Sequence, residues 1–121
     1  MKYRIETDFL GEMKIPSDAY YGIHTMRAVD NFPIADVAIS VYPNIVIAYA
    51  MVKLACARAN NQLGLLDNDI YHPIVAACER IINGEFHDQF IVEIIQGGAG
   101  TSTNMNANEV IWAFFKRFKR Q

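Results

Sequence analysis

The clearest periodicity runs from Pro43 to Leu63, where Ile45, Tyr49, Val52, Cys56, Ala59 and Leu63 recur at three- and four-residue steps. That spacing predicts one apolar stripe on a helix about 30 Å long at 1.5 Å per residue. Pro43 suits a first helical position, and Gly64 suits the residue just past a helix end. A second helix is predicted from about Asp67 to Asn83, with Asp67 as cap, Gly84 as stop, and a stripe of Ile70, Ile74, Ala77 and Ile81. Pro73 falls near its first turn, where a missing N–H costs least. The connection from Leu63 to Asp67 is short, so the two helices should pack antiparallel.

The flanks are less regular. Tyr3 to Phe9 alternates apolar and charged residues, the pattern of a short strand or extended arm, and Gly11 and Pro16 then punctuate a loop. Asp18 to Asp30 reads as a short helix ended before Asn31-Phe32-Pro33, because a residue preceding proline avoids the helical region. Phe86 to Ile95 is apolar and β-branched, and periodicity does not separate strand from short helix there. Gly97, Gly98 and Gly100 make a flexible turn. A last helix should begin near Asn104 to Asn106, with Glu109 three residues after Asn106 in capping-box spacing.

With 121 residues and 52% apolar content, the chain is long enough for one domain with a real core. A net charge of −2 provides no overall basic field for nucleic acid. The N-terminal stretch is charged and lacks a signal-peptide core, and the longest apolar run, Ile45 to Val52, stops at Lys53. Cys56 and Cys78 have no paired spacing. Both are expected as reduced core residues of a cytoplasmic protein.

Candidate chemistry gathers at Gly97–Asn108. Glycines let backbone approach a ligand closely, Thr101, Ser102, Thr103 and Asn104 supply donors and acceptors, and a helix start adds free N–H groups with a positive dipole end. This is the make-up of a carboxylate or phosphate site. It is also the make-up of an ordinary helix cap after a glycine turn, which composition alone favours. A P-loop is excluded, since no Lys-Ser or Lys-Thr follows the glycines, and a dinucleotide fingerprint fails because Thr103 stands where the third glycine belongs. Asn104 and Asn108 share a helical face if both are helical.

The string GGAGTSTNMNANEVI resembles, nearly letter for letter, a conserved block of aspartate ammonia-lyases. DAYYGIHTMRAVDNFPI (Asp18 to Ile34) and RIETDFLGEMKIP resemble two further segments of that family, so the resemblance covers roughly residues 4 to 111. QGGAGTS and NFPI favour the aspartase branch over fumarase. The resemblance implies a mainly α fold: the N-terminal domain of the aspartase/fumarase fold with a short extended arm, one domain over residues 1–121 that is truncated before the central helical bundle. About 104–121 would be the start of a helix leading toward that bundle. It implies conversion of L-aspartate to fumarate and ammonia, with no organic cofactor and no metal. Thr101 matches the threonine that hydrogen-bonds a substrate carboxylate, Asn104 the asparagine beside it, and Ser102 and Thr103 neighbours able to help. Full-length relatives are tetramers whose active sites draw on three subunits.

Two features depart from the family. The Ser-Ser-x-Met-Pro-x-Lys-x-Asn loop that carries the family's proposed serine base does not occur, so no catalytic residue is assigned; His24, His72 and His87 are scattered and read as surface or satisfied histidines. The stretch Trp112 to Gln121 is basic and aromatic rather than polar and alanine-rich. It reads as a truncated or frameshifted end in preference to a nucleic-acid or membrane tail, the basic patch being short. The expected partner is a small dicarboxylate, with no nucleic acid and no membrane. The chain is expected to be an inactive piece of an aspartate ammonia-lyase; the rival readings are a fumarase-type hydratase piece and a noncatalytic interaction module.

Apolar helix faces suited to further domains, together with Trp112, Phe114, Phe115 and Phe118, should drive self-association, since contiguous apolar patches beyond a few hundred Å² usually mark contacts. Light scattering over about a tenfold concentration range should therefore show mass rising with concentration. A constant monomer mass would refute this.

Overall fold

The computed structural model describes residues 1–121. The chain opens with a hairpin of β1 (Tyr3–Asp8) and β2 (Gly11–Pro16), paired antiparallel from Tyr3 opposite Pro16 to Asp8 opposite Gly11. Helices α1 (Ile23–Asn31), α2 (Pro43–Gln62), α3 (Asn68–Ile82) and α4 (Thr101–Phe118) follow. Single 3-10 turns occupy Ile39–Val41 and His87–Gln89. The chain is thus mainly α with a short extended arm, as the sequence predicts. No helix is long and apolar enough to cross a membrane.

The arm is a full hairpin rather than one strand and a loop. Gly11, at φ 117°, turns the chain back after Phe9-Leu10 and starts a second strand that alternation over Tyr3–Phe9 does not reveal. The polarity of β1 is inverted, while β2 buries Ile15 and exposes Glu12 and Lys14. Arg4, Glu6 and Asp8 face the protein, while Tyr3 and Ile5 are exposed. The inward charges are all engaged. The Arg4 guanidinium donates to the carbonyls of Pro16, Ser17, Ala19 and Tyr21 at 2.7–3.3 Å, and to Glu6. Asp8 accepts a bidentate pair from Arg27 of α1 at 2.6 and 2.8 Å, which holds its carboxyl below the usual range.

Helices α2 and α3 form an antiparallel hairpin. Both end in Schellman geometry: Gly64 (φ 73°) and Gly84 (φ 96°) turn left-handed, and Leu65 and Glu85 donate back to Asn60 and Arg80. Asp67 holds the N-cap position of α3 but makes no side-chain capping bond. The buried face of α2 is Val46, Ala50 and Ala57, not the stripe of Ile45, Val52, Cys56 and Leu63, which is exposed. The helix is apolar on both sides, so periodicity selects the bulkier face. Packing selects the smaller one, because Ala50 and Ala57, with Ala77 of α3 and Ala107 of α4, permit close helix approach. The stripe on α3 is buried at Ala77 and Ile81 and opens toward Ile70. Cys78 is in the core, where burial pushes its thiol up to about 11; Cys56, expected in the core, is exposed.

Helix α4 begins at Thr101, three to five residues before the predicted start. Phe114 and Phe115 are buried on it, so of the four terminal aromatics only Trp112 and Phe118 add to the exposed apolar surface. The capping box expected of Asn106 and Glu109 does not form. Asn106 is fully buried and ties α4 to the 86–95 segment, donating to the Gln89 carbonyl at 2.9 Å and accepting from Val92 N–H at 3.4 Å. That segment is neither a regular strand nor a longer helix, with one isolated bridge from Glu93 to Ala38.

Glu109 caps a different helix. Helix α1 starts after Gly22 with no capping side chain of its own. Glu109 accepts from His24 N–H (3.1 Å), Thr25 N–H (2.8 Å) and the Thr25 hydroxyl (2.6 Å), while Glu6 of β1 accepts from Ile23 N–H at 3.1 Å. A Cβ at Gly22 would collide with both carboxylates. Thr25 is fully buried, so Glu109→Ala leaves a buried donor without a partner and should destabilise the chain by about 2–3 kcal/mol, with Glu109→Gln intermediate. Urea midpoints of the three proteins measure this; equal midpoints for Glu109→Ala and the parent would remove the cap from the account.

Candidate functional site

The Gly97–Asn104 segment is built from three constraints. Gly98 and Gly100 adopt left-handed φ of 85° and 82°, and Gly97 packs against the Phe32 ring, where a Cβ would sit 3.2 Å from it. Gln96 spans the turn: its amide donates to the Glu93 carbonyl at 2.7 Å, and its Oε1 accepts from Thr103 N–H at 3.0 Å. Glu93 is itself buried. Its Oε1 gathers the N–H groups of Ile34, Ala35 and Asp36 at 3.2, 3.0 and 2.6 Å, a nest made possible by Asp36 at φ 54°. Glu93 Oε2 is buried without a partner. The three N–H bonds to the other oxygen offset what that orphan costs.

Among the first-turn donors of α4, Thr103 N–H is taken by Gln96, and Asn104 N–H closes on Gly100 at 3.1 Å. The N–H groups of Thr101 and Ser102 have no protein acceptor. Thr101 is exposed, Ser102 and Asn104 are half-buried, and Thr103 is buried, so Thr103 contributes no accessible hydroxyl. The predicted four therefore separate. Thr101 and Asn104 share one helical face three residues apart, while Ser102 turns to a cleft of about 480 Å³ lined also by His24, Arg27, Asn31 and Phe32.

Lys53 is the residue that sequence reasoning missed. Its ammonium donates to Asn104 Oδ1. It occupies the inward face of α2, on the row Val46, Ala50, Lys53, Ala57, and forms no salt bridge. A cation beside a helix N-terminus opposes the helix dipole. Here an unpaired ammonium, two unclaimed N–H groups and the dipole all carry the same sign. The signal was present as a lysine on a row of small buried residues, but the bulkier stripe of α2 masked it. From Lys53 a mostly apolar cleft of about 340 Å³ runs past Asn108 and Trp112 between α2, α3 and α4.

The histidines stand apart from this face. His24 lines the Ser102 cleft, His72 lies beside Tyr71, and His87 is satisfied by the Ile81 carbonyl at 2.8 Å. No group of three or more His, Cys, Asp and Glu comes together in metal-holding geometry.

Hairpin, helical core and glycine-turned α4 together define a lyase-type module, and residues 11–119 match the lyase family model: the chain belongs to that family. Within it, the chain sits in the aspartase/fumarase superfamily. It is 61% identical over 108 residues to an aspartate ammonia-lyase of Pseudomonas aeruginosa, covering 89% of this chain and 23% of that protein. It is 52% identical over 109 residues to a class II fumarate hydratase of Halobacterium salinarum, covering 90% and 23%. The structure of a fumarate lyase:delta crystallin from Brucella melitensis superposes with a TM-score of 0.93 at 52% identity, over 98% of this chain and 28% of that one. The chain thus spans about a quarter of the length of the relatives it matches. The family match extends through residue 119, beyond residue 111, where the resemblance read from the sequence ended.

Gln96→Ala should release the Thr103 amide while leaving Asn104 bonded to Gly100. Hydrogen exchange at Thr103 should speed by about fivefold or more, in line with the loss of a capping bond worth about 1 kcal/mol. Unchanged exchange at Thr103 would show that Gln96 does not cap α4.

Proposed function

We propose that the Thr101–Asn104 face of α4, with Lys53, is the carboxylate-binding wall of an aspartate ammonia-lyase, and that the chain alone does not turn substrate over. The observation that carries this is the convergence of Lys53 on Asn104 at a helix start with two unclaimed N–H groups. In the reaction a proton leaves the carbon beside a carboxylate, the C–N bond breaks, its electrons depart with ammonia, and the carbon–carbon double bond of fumarate forms. Negative charge builds on that carboxylate as the proton is removed, so preset donors and an ammonium stabilise the transition state more than the ground state. Thr101 and Asn104 orient the carboxylate; Lys53 both aligns Asn104 and supplies charge. Ser102 and Thr103 serve through position, Thr103 by its capped N–H. The base is assigned outside these residues, since the Ser-Ser-x-Met-Pro-x-Lys-x-Asn loop to which the resemblance gives that role does not occur in them.

The same wall suits fumarate hydration, where water replaces ammonia, and the resemblance to a fumarate hydratase supports that second reading. In either, the substrate is a small dicarboxylate and the working protein an oligomer that brings other segments to the wall.

A few hydrogen bonds at about 0.5–1.5 kcal/mol each give millimolar affinity at best, since about 4 kcal/mol corresponds to millimolar. Titration with fumarate should move the NMR signals of Thr101, Ser102 and Asn104 saturably, and Lys53→Met should weaken this by about tenfold. Fumarate formation from aspartate should stay at the buffer rate. Absence of saturable shifts at α4 overturns the binding wall; deamination surviving repurification overturns the assignment of the base elsewhere.

A further inference from the structure

The far end of α4 carries a second positive site that the carboxylate wall does not use. Along α4, Thr101 and Arg117 lie sixteen residues, about 24 Å, apart, so the two cannot share one small ligand. Here Arg4, Ser17, Ala19, Ala113, Lys116, Arg117 and Arg120 enclose a cleft of about 180 Å³. No carboxylate side chain lines it. Glu6 is engaged by Arg4 and Ile23, Asp18 gives its backbone carbonyl to Arg117 while its exposed side chain is not among the lining groups, and Glu79 and Gln121 line a neighbouring cleft that Arg117 also borders.

The cations differ in what they offer. Arg4 spends its donors on four carbonyls and Glu6, so it shapes the cleft wall but adds little net charge. Arg117 is preset. It stacks over the Tyr20 ring at 3.9 Å, and its Nη2 alone is used, bonding the carbonyls of Asp18 and Ala19 at 3.1 and 3.3 Å. Its Nε and Nη1 donors are unclaimed, and its partners are neutral, so its charge is not cancelled. Lys116 and Arg120, one helical turn apart, make no ion pair. The Ser17 hydroxyl is also unused. An immobilised guanidinium flanked by two exposed cations and a hydroxyl, with no carboxylate among the lining side chains, matches a doubly charged tetrahedral anion better than a single carboxylate.

We propose that this cleft is a phosphoryl-anion site, taking a free pyrophosphate-type ligand or the phosphomonoester headgroup of an anionic lipid through Arg117, Lys116, Arg120 and Ser17. Calorimetric titration of the full chain with sodium pyrophosphate at low ionic strength tests it, with succinate as a dicarboxylate comparison. A parallel arm sediments the chain with phosphatidylcholine vesicles with and without phosphatidic acid. The discriminating variants are Lys116→Gln/Arg120→Gln and, as a charge-matched control elsewhere, Lys14→Gln/Arg58→Gln; all four side chains are exposed, so the fold is kept. The expected result is saturable one-to-one binding in at least one arm, about tenfold tighter for pyrophosphate than succinate in the free-ligand arm, and weakened about tenfold by the first double variant only. The arm that responds identifies the source. Saturable binding in neither arm, or equal weakening by both double variants, overturns the site.

Discussion

The Glu109 carboxylate holds the molecule together. Helix α1 begins with three N–H groups and no capping side chain, and Gly22 leaves no room for a Cβ at the junction. Glu109 reaches from the third turn of α4 to take two of those N–H groups and the Thr25 hydroxyl, and Glu6 reaches from β1 to take the other. Two carboxylates far apart in sequence therefore meet at one positive helix end, where negative charge is favoured. The meeting fixes β1, α1 and α4 relative to one another. It also orients α4 about its own axis, which decides that Thr101 and Asn104 face α2 while Ser102 faces α1.

That orientation explains why the site is assembled from parts that look unremarkable alone. Glu93 gathers a nest at 34–36, Gln96 leans on the Glu93 carbonyl to cap Thr103, and Asn106 locks the intervening segment to the helix. Apart from the orphaned Glu93 Oε2, each polar group in this chain of contacts is occupied by its neighbour. At the start of α4, what stays unoccupied is the pair of N–H groups at Thr101 and Ser102 and the charge of Lys53. A helix start with its local donors satisfied is only a cap; one with two left over beside an unpaired ammonium has the make-up that supports the proposed carboxylate wall.

The two ends of α4 show how a chain of net charge −2 can carry two positive regions. At its start the charge comes from backbone dipoles and one inward lysine. At its end it comes from side chains, with Arg117 held by neutral carbonyls that orient it without cancelling it. Net charge reports solubility and long-range steering, whereas binding responds to the local field and to which donors are already spoken for. Strand β1 makes the same point with inverted polarity: Arg4, Glu6 and Asp8 face inward because each finds partners of matching geometry, and Tyr3 and Ile5 take the solvent side.

By itself the sequence determined the helical count and most boundaries, because Pro43, Gly64 and Gly84 act through local backbone conformation. It also located the glycine-turned segment that carries Thr101 and Asn104, and the family, because those blocks are contiguous strings. Only the tertiary structure decided which face of α2 is buried, since both faces are apolar and the choice rests on how closely Ala50, Ala57, Ala77 and Ala107 let helices approach. The same packing turned Lys53 inward to Asn104, exposed Cys56, and sent Glu109 to α1 instead of its own helix. These outcomes depend on groups that meet across 51 to 85 positions of chain. Periodicity senses neighbours three or four residues away, and a contact between distant segments leaves no local pattern for it to find.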